Sequence, residues 1–256
     1  MLKQTLKYLH VLFRQKMLRL RLVFVGELKL TDDADMLVIA PHPDDEIFGL
    51  GGLMVRRLSA GGKVSVIYLT DGEMSLPALD PELVAQKRIE ICEGVMRRLG
   101  VEGKNIFFLH LADGKLPKAG ENGFEDAVEK VSALLDTQKP RAVFVTHPMD
   151  TWPYDHIAAC EIAVAAMNKK NLHDVIPLYA YWVWLWYSLP AKKYGAVNWE
   201  NTWRIPVREV MKEKRLLMDC YLKPLAPNGK PWSGVLPRAL LKAFDYQYEV
   251  VTKLLK

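Results

Sequence analysis

From residue 36 to residue 187 short apolar runs alternate with longer stretches of helical periodicity, and this alternation restricts the chain to very few folds. Met36–Ala40 is a compact apolar run of the kind a strand buried on both faces requires. A helical stretch over about 47–60 follows and closes at Gly61-Gly62. Lys63–Thr70 reads as the next strand, and Pro81–Leu99 as a helix with Pro81 in its first turn and Gly100 past its end. Asn105–His110 and Arg141–Thr146 read as strands, Phe124–Gln138 and about 155–168 as helices. Pro177–Tyr187, apolar and rich in aromatics, predicts a further strand. Such βαβ units make a mainly parallel sheet, and right-handed crossovers place helices on both of its faces. Beyond about residue 190 the alternation fades. Residues 206–222 and 236–255 read as helical, joined by a loop at 223–232 that contains Pro and Gly.

The N-terminus is of a different character. Leu2, Leu6, Leu9, Phe13 and Met17 recur at helical spacing, with Lys3, Lys7, Arg14 and Lys16 elsewhere on the wheel, which predicts a basic amphipathic helix over 2–18. Two readings follow: the helix packs on the domain or on a second subunit in a homo-oligomer, or residues 1–20 touch an anionic membrane surface. Residues 19–25 alternate and predict a short strand. Residues 1–30 carry seven basic residues against Glu27 alone, a charge of +6, so the remaining 28 basic and 29 acidic residues leave the body near neutral. We therefore divide the chain into a basic extension, 1–30, and one domain, 31–256. A near-neutral body argues against a nucleic-acid partner. No run of 18 apolar, uncharged residues predicts a membrane-spanning helix, and the N-terminus lacks the pattern of a secretory signal. Cys92, Cys160 and Cys220 are few, odd in number and widely spaced, which fits a reducing, cytoplasmic compartment, with membrane association under the second reading of the helix.

Ligands of open parallel sheets bind at the carboxyl ends of the strands. There the first strand runs into His42-Pro43-Asp44-Asp45-Glu46, four of five residues being ionisable. Adjacent carboxylates beside a buried strand need a cation or hydrogen bonds to offset the cost of desolvation. The fourth strand runs into His147-Pro148-Met149-Asp150-Thr151-Trp152-Pro153-Tyr154-Asp155-His156, which opens a helix. His42, Asp45 and His156 make a two-His, one-Asp set that leaves a coordination position open, as in catalytic rather than structural zinc sites. Asp44, beside a ligand but not needed as one, is the candidate general base. The bland alternative for the acidic run is a solvated cluster starting a helix. Gly49-Leu50-Gly51-Gly52 lies too far past the strand to be a dinucleotide fingerprint, and reads as room for a helix to approach the sheet. Tyr181, Trp182, Trp184, Trp186 and Tyr187 read as packing, or as a platform for a sugar ring.

The motif Ala40-Pro41-His42-Pro43-Asp44-Asp45, with Glu46 and Gly49-Leu50-Gly51-Gly52 after it, resembles the LmbE-like, or PIG-L, N-deacetylases. So do Leu69-Thr70-Asp71-Gly72-Glu73, Arg88 and Glu90 with Leu99-Gly100-Val101, Leu111-Ala112-Asp113-Gly114, and Asp155-His156-Ile157-Ala158, in that order over roughly 34–165. The resemblance implies a Rossmann-like fold and a zinc-dependent hydrolase, with iron as an alternative metal. Its substrate would be an N-acetylglucosamine-type conjugate, free or lipid-linked. It implies metal held by His42, Asp45 and His156, Asp44 as general base, and Arg88 helping to hold substrate; without it, Arg88 reads as a surface arginine of an amphipathic helix. The family's further His, just before its Asp-His pair, is replaced here by Pro153, or by Trp152 with a one-residue insertion. Three alternatives then stand in for it: His147 reaching into the site, Tyr154 donating a hydrogen bond to the oxyanion, and Asp44 serving as base and then as acid. A metal- and sugar-binding module of weak activity, and an amidase for a larger acyl group, are the rival functions.

Overall fold

The computed structural model describes residues 2–31 and 33–255; the side chains of Leu2, Lys3 and Gln4 lie outside the described ones. In chain order the elements are α1 (Leu2–Leu22), β1 (Met36–Ala40), α2 (Asp45–Ser59), β2 (Val64–Thr70), α3 (Pro81–Leu99), β3 (Ile106–Leu111), α4 (Phe124–Gln138) and β4 (Ala142–Thr146). They continue as α5 (Asp155–Lys169), β5 (Leu178–Tyr181), α6 (Leu185–Ser188), β6 (Thr202–Pro206), α7 (Met211–Leu222), α8 (Arg238–Leu241) and β7 (Tyr248–Leu255). The strands form one sheet in the order β3-β2-β1-β4-β5-β7-β6. The first five are parallel, and β7 and β6 run antiparallel at one edge.

The central strands are buried throughout, so alternate residues feed two separate cores. Met36, Val38 and Ala40 point into a core shared with α1, α2, α3 and α7; Leu37 and Ile39 point into one shared with α4 and α5. The chain crosses from β1 to β2 and β3 on one side, and β4 and β5 extend the sheet on the other. The strand order therefore reverses between the neighbours β1 and β4, which opens a crevice at their carboxyl ends.

The α/β architecture follows the expected alternation, and the departures are local. Residues 19–25 do not form a strand: α1 runs on to Leu22, because Val11, Gln15, Leu18 and Leu22 keep one helical face buried. The strand expected over 177–187 ends at Tyr181, where the Asp150 carboxylate accepts the N–H groups of Val183 and Trp184 and diverts the chain into α6. Segment 236–255, expected to be helical, yields only the short α8 and then β7, whose Val250, Val251 and Thr252 pair between β5 and β6. Short apolar runs carry no helical or strand period of their own, and the vacant sheet edge decided this one.

Helix α2 lies close against the sheet edge. A Cβ on Gly49 would stand 2.3 Å from the Tyr181 ring, and one on Gly52 2.6 Å from Val207. Glu249, on β7, accepts the N–H groups of Gly52 and Leu53 and pairs with the buried Lys214 at 2.7 Å. Gly49→Ala is therefore expected to lower the unfolding free energy by about 1–3 kcal/mol, since the ring or the helix must shift. Urea denaturation measures this, and an unchanged midpoint would contradict the close approach.

Candidate metal centre

The loop after β1 is held in an unusual shape. Asp44 has φ 122°, a backbone conformation that side chains other than glycine rarely adopt. The fold supports it: Glu46 accepts the Asp44 N–H at 2.9 Å and the Tyr221 hydroxyl at 2.7 Å, and Arg88 donates to the Pro43 carbonyl. The guanidinium of Arg88 also reaches Asp44 Oδ2 at 3.4 Å. Gly72, with φ 71°, leaves the space this arginine fills, because a Cβ there would meet its Nε at 2.3 Å.

The turn at Asp44 sends Asp45 inward to the crevice. Asp45 Oδ2 lies 3.1 Å from His42 Nδ1 and 3.2 Å from His156 Nε2, and the three ligand atoms lie within 4.8 Å of one another. Ligands at zinc distances in a tetrahedron stand about 3.3 Å apart, so this spacing fits a small divalent cation. His156 Nε2 is buried with no hydrogen-bond partner, as an atom reserved for a metal would be. The other nitrogen of each imidazole faces carboxylates. His42 Nε2 lies 3.0 Å from Asp113 and 3.2 Å from Asp155, and His156 Nδ1 lies 3.1 Å from Asp150. Such outer carboxylates fix the tautomer and turn the lone pair of the facing nitrogen towards a metal. His42, Asp113 and Asp155 also converge as a set, but these carboxylates are engaged by backbone: Met74 donates to Asp113, and Gly114 and Leu116 donate to Asp155.

The electrostatics match this geometry. Burial opposes a charge on His156, yet Asp45 and Asp150 raise its pKa to about 9. Burial likewise opposes a charge on His42, but Asp113, Asp155 and Asp45 hold it well above the usual range. Asp45 is held low against its burial, by His156 first and then His42. Burial pushes Asp44 up to about 7, despite the pull of Arg88.

The site opens into a cavity of about 350 Å³ lined by His42, Asp44, Asp45, Arg88 and Asp113, with Met74, Trp152, Trp184, Val235 and Leu236 around it. All five residues singled out from sequence thus meet at one crevice, Arg88 from the cavity wall. Of the aromatic run, Tyr181, Trp182 and Trp186 are buried, whereas Trp184 faces the cavity. Two of the three residues considered in place of the family's further His are directed elsewhere. His147 packs edge-on to Trp182, accepts the Met149 N–H, and is lowered to about 3 by burial. Tyr154 donates to Glu121 beneath the Lys118 ammonium. Sequence reasoning gave no role to Asp113, Asp150 or Asp155. Asp113 and Asp155 did stand in two of the motifs that carry the family resemblance, and each of the three follows the carboxyl end of a strand. Nothing in the sequence linked 233–236 to this site.

The family model described as PIG-L, GlcNAc-PI de-N-acetylase, matches residues 37–167. The chain belongs to this family. Diacetylchitobiose deacetylase of Thermococcus kodakarensis is 31% identical over 150 residues, which cover 55% of this chain and 52% of that protein. The 1D-myo-inositol 2-acetamido-2-deoxy-alpha-D-glucopyranoside deacetylase of Salinispora arenicola is 24% identical over 177 residues, covering 59% and 56%. The chain thus spans a little over half the length of these two curated relatives. Among solved structures, N,N'-diacetylchitobiose deacetylase from Pyrococcus horikoshii superposes with a TM-score of 0.66 at 20% identity, over 93% of this chain and 90% of that one. That likeness establishes the fold. Both of these curated relatives are named as deacetylases.

Two measurements check the site. His156, raised from 6.5 to about 9 in the folded chain, contributes stability that is complete below the lower value and lost as pH rises to the upper one. Chelator-treated protein should therefore lose thermal stability across that window, and His156→Gln should flatten the loss. Asp150→Asn should weaken binding of a divalent metal by about 10–100-fold, read by competition with a chromophoric chelator. Unchanged affinity would remove Asp150 from the site.

Proposed function

We propose that the chain is a metal-dependent hydrolase that removes the acetyl group from the nitrogen of an N-acetylglucosamine-type conjugate. The observation that carries this reading is the convergence of His42, Asp45 and His156 beside Asp44 at the floor of an open cavity. His42 Nδ1, Asp45 Oδ2 and His156 Nε2 hold the metal, zinc or ferrous iron. Bound there, a divalent ion supplies Lewis acidity, which acidifies water and polarises the acetyl carbonyl.

The chain's own groups manage the proton. As water attacks the carbonyl carbon, the Asp44 carboxylate accepts its proton; as the C–N bond breaks, the same carboxyl returns that proton to the departing nitrogen, leaving acetate and a free amine. With His147 and Tyr154 engaged elsewhere, Asp44 takes both steps, its carboxyl lining the cavity beside His42 and Asp45. Arg88 steadies the Asp44 loop and presents charge to the cavity, where it contacts polar groups of the sugar. Trp152, Trp184, Met74 and Val235 give the rim an apolar surface for one face of a sugar ring or for an aglycone, lipid included.

A second reading has one observation in its favour. Among the described residues no histidine other than His42 lines the cavity, so a binding module of weak turnover is the alternative to an efficient enzyme. Metal analysis combined with acetate release from a panel of N-acetylglucosaminides separates the two. Binding without acetate across the panel would favour the module, and release of longer acyl groups alone would make the protein an amidase. Asp44→Asn should lower kcat by about 10²–10⁴-fold with metal content retained. Near-normal turnover by that variant would disprove the role of Asp44.

A further inference from the structure

Helix α1 is apolar on two opposite sides. One side, Val11, Gln15, Leu18 and Leu22, is buried against the domain, where Gln15 donates to the Ala239 carbonyl. Beyond the helix the chain stays attached, with Leu28 donating to the Arg204 carbonyl on β6. The other side carries Leu6, Leu9, Phe13, Met17 and Leu20, continued by Phe24, in steps of three and four residues. At 3.6 residues per turn this second row points directly away from the first. It is open to solvent: Phe13 is 61% exposed, Leu20 57% and Phe24 85%. Six large apolar side chains in one contiguous row exceed what a soluble surface ordinarily leaves uncovered.

The charges bordering the row indicate what covers it. Lys7, Arg14 and Arg21 line one border at intervals of seven residues, and Lys16 lies on the other. Lys7, Lys16 and Arg21 are exposed. Helix α1 contains no acidic residue. A second copy docked through the same row would set cations against cations with no carboxylate in either helix to pair with them. An anionic lipid surface satisfies both features, taking the apolar row among its acyl chains and the ammonium and guanidinium groups among its phosphates. Crossing the membrane is a different matter: among the described residues no helix is long and apolar enough. Beside the row, a cavity of about 670 Å³ is bounded by Met17, Leu20 and Phe24 on one side and Tyr194, Trp199 and Glu200 on the other. Tyr194 is tied to the helix by donating to the Arg14 carbonyl, and its neighbours Lys192 and Lys193 are exposed. Amphipathic rings next to cations are the composition of surfaces that sit at lipid headgroup level.

We propose that α1 lies flat on an anionic lipid surface, with Leu6, Leu9, Phe13, Met17, Leu20 and Phe24 embedded and Lys7, Lys16 and Arg21 against the phosphates, while its opposite face anchors it to the domain. This contact does not depend on the chemistry at the metal centre, and its test reads binding rather than turnover. Full-length protein is sedimented with vesicles of phosphatidylcholine alone and of phosphatidylcholine mixed with phosphatidylglycerol. The wild type should pellet with the anionic vesicles, lose that binding as salt is raised, and stay in the supernatant when the neutral vesicles are pelleted. Phe13→Glu with Leu20→Glu, and separately Lys7→Glu with Lys16→Glu, should each lower the bound fraction by about tenfold or more. Thermal midpoints should change little, because all four side chains are exposed and Lys7 alone rests on the domain, over the Tyr187 ring at 5.6 Å. Equal binding of the wild type and the Phe13→Glu, Leu20→Glu protein, or wild-type indifference to phosphatidylglycerol, would overturn the proposal. So would a wild-type dimer in sedimentation velocity that those two substitutions dissociate, since a second copy would then own the face.

Discussion

Two imidazoles and five carboxylates share one buried crevice, and the arrangement around them is organised to make that tolerable. Asp44, Asp45, Asp113, Asp150 and Asp155 are drawn together around His42 and His156 with little water to solvate them. Without a metal, the imidazoles carry the compensating charge, as their raised pKa values record. A divalent cation would take over that role, displacing protons from both rings, so metal binding, protonation and stability are linked through the same atoms.

The neighbouring loops interlock to hold this cluster. Glu73, after β2, accepts the Asp113 N–H, and Asp113, after β3, accepts the Met74 N–H in return. Asp155, at the start of α5, accepts two backbone donors from the loop after β3, and Asp150 accepts two from the chain leaving β5. Each carboxylate thus spends part of its hydrogen-bonding capacity on a neighbouring loop and part on an imidazole. The strained turn at Asp44 belongs to the same scheme: Glu46, Tyr221 and Arg88 hold a shape that an isolated loop would leave.

Much of this was legible in the chain itself. The buried strands declared themselves through unbroken apolar runs, and the two acidic, His-containing loops stood out because each follows such a run. Pro81 opening α3, with Gly100 at φ 96° closing it, are local signals that no tertiary context needed to supply. The glycines of α2 were legible in purpose, though not in partner; Tyr181 and Val207 are remote in sequence. What misled were short apolar segments near an edge. Residues 248–255 have no period that separates strand from helix, and only the space between β5 and β6 decides.

The sequence alone determined the parallel part of the sheet, the crevice at its strand ends and the chemical kind of the residues there, because periodicity and residue type are local properties. Tertiary structure decided which residues face one another. It brought Asp113, Asp150 and Asp155 behind the imidazoles, turned His147 and Tyr154 away, and closed the cavity with 233–236 from a distant part of the chain. It also decided what the N-terminal helix is. A hydrophobic row can be read from spacing, but which of two rows is buried depends on where the rest of the chain lies, and here that left the more apolar row facing out.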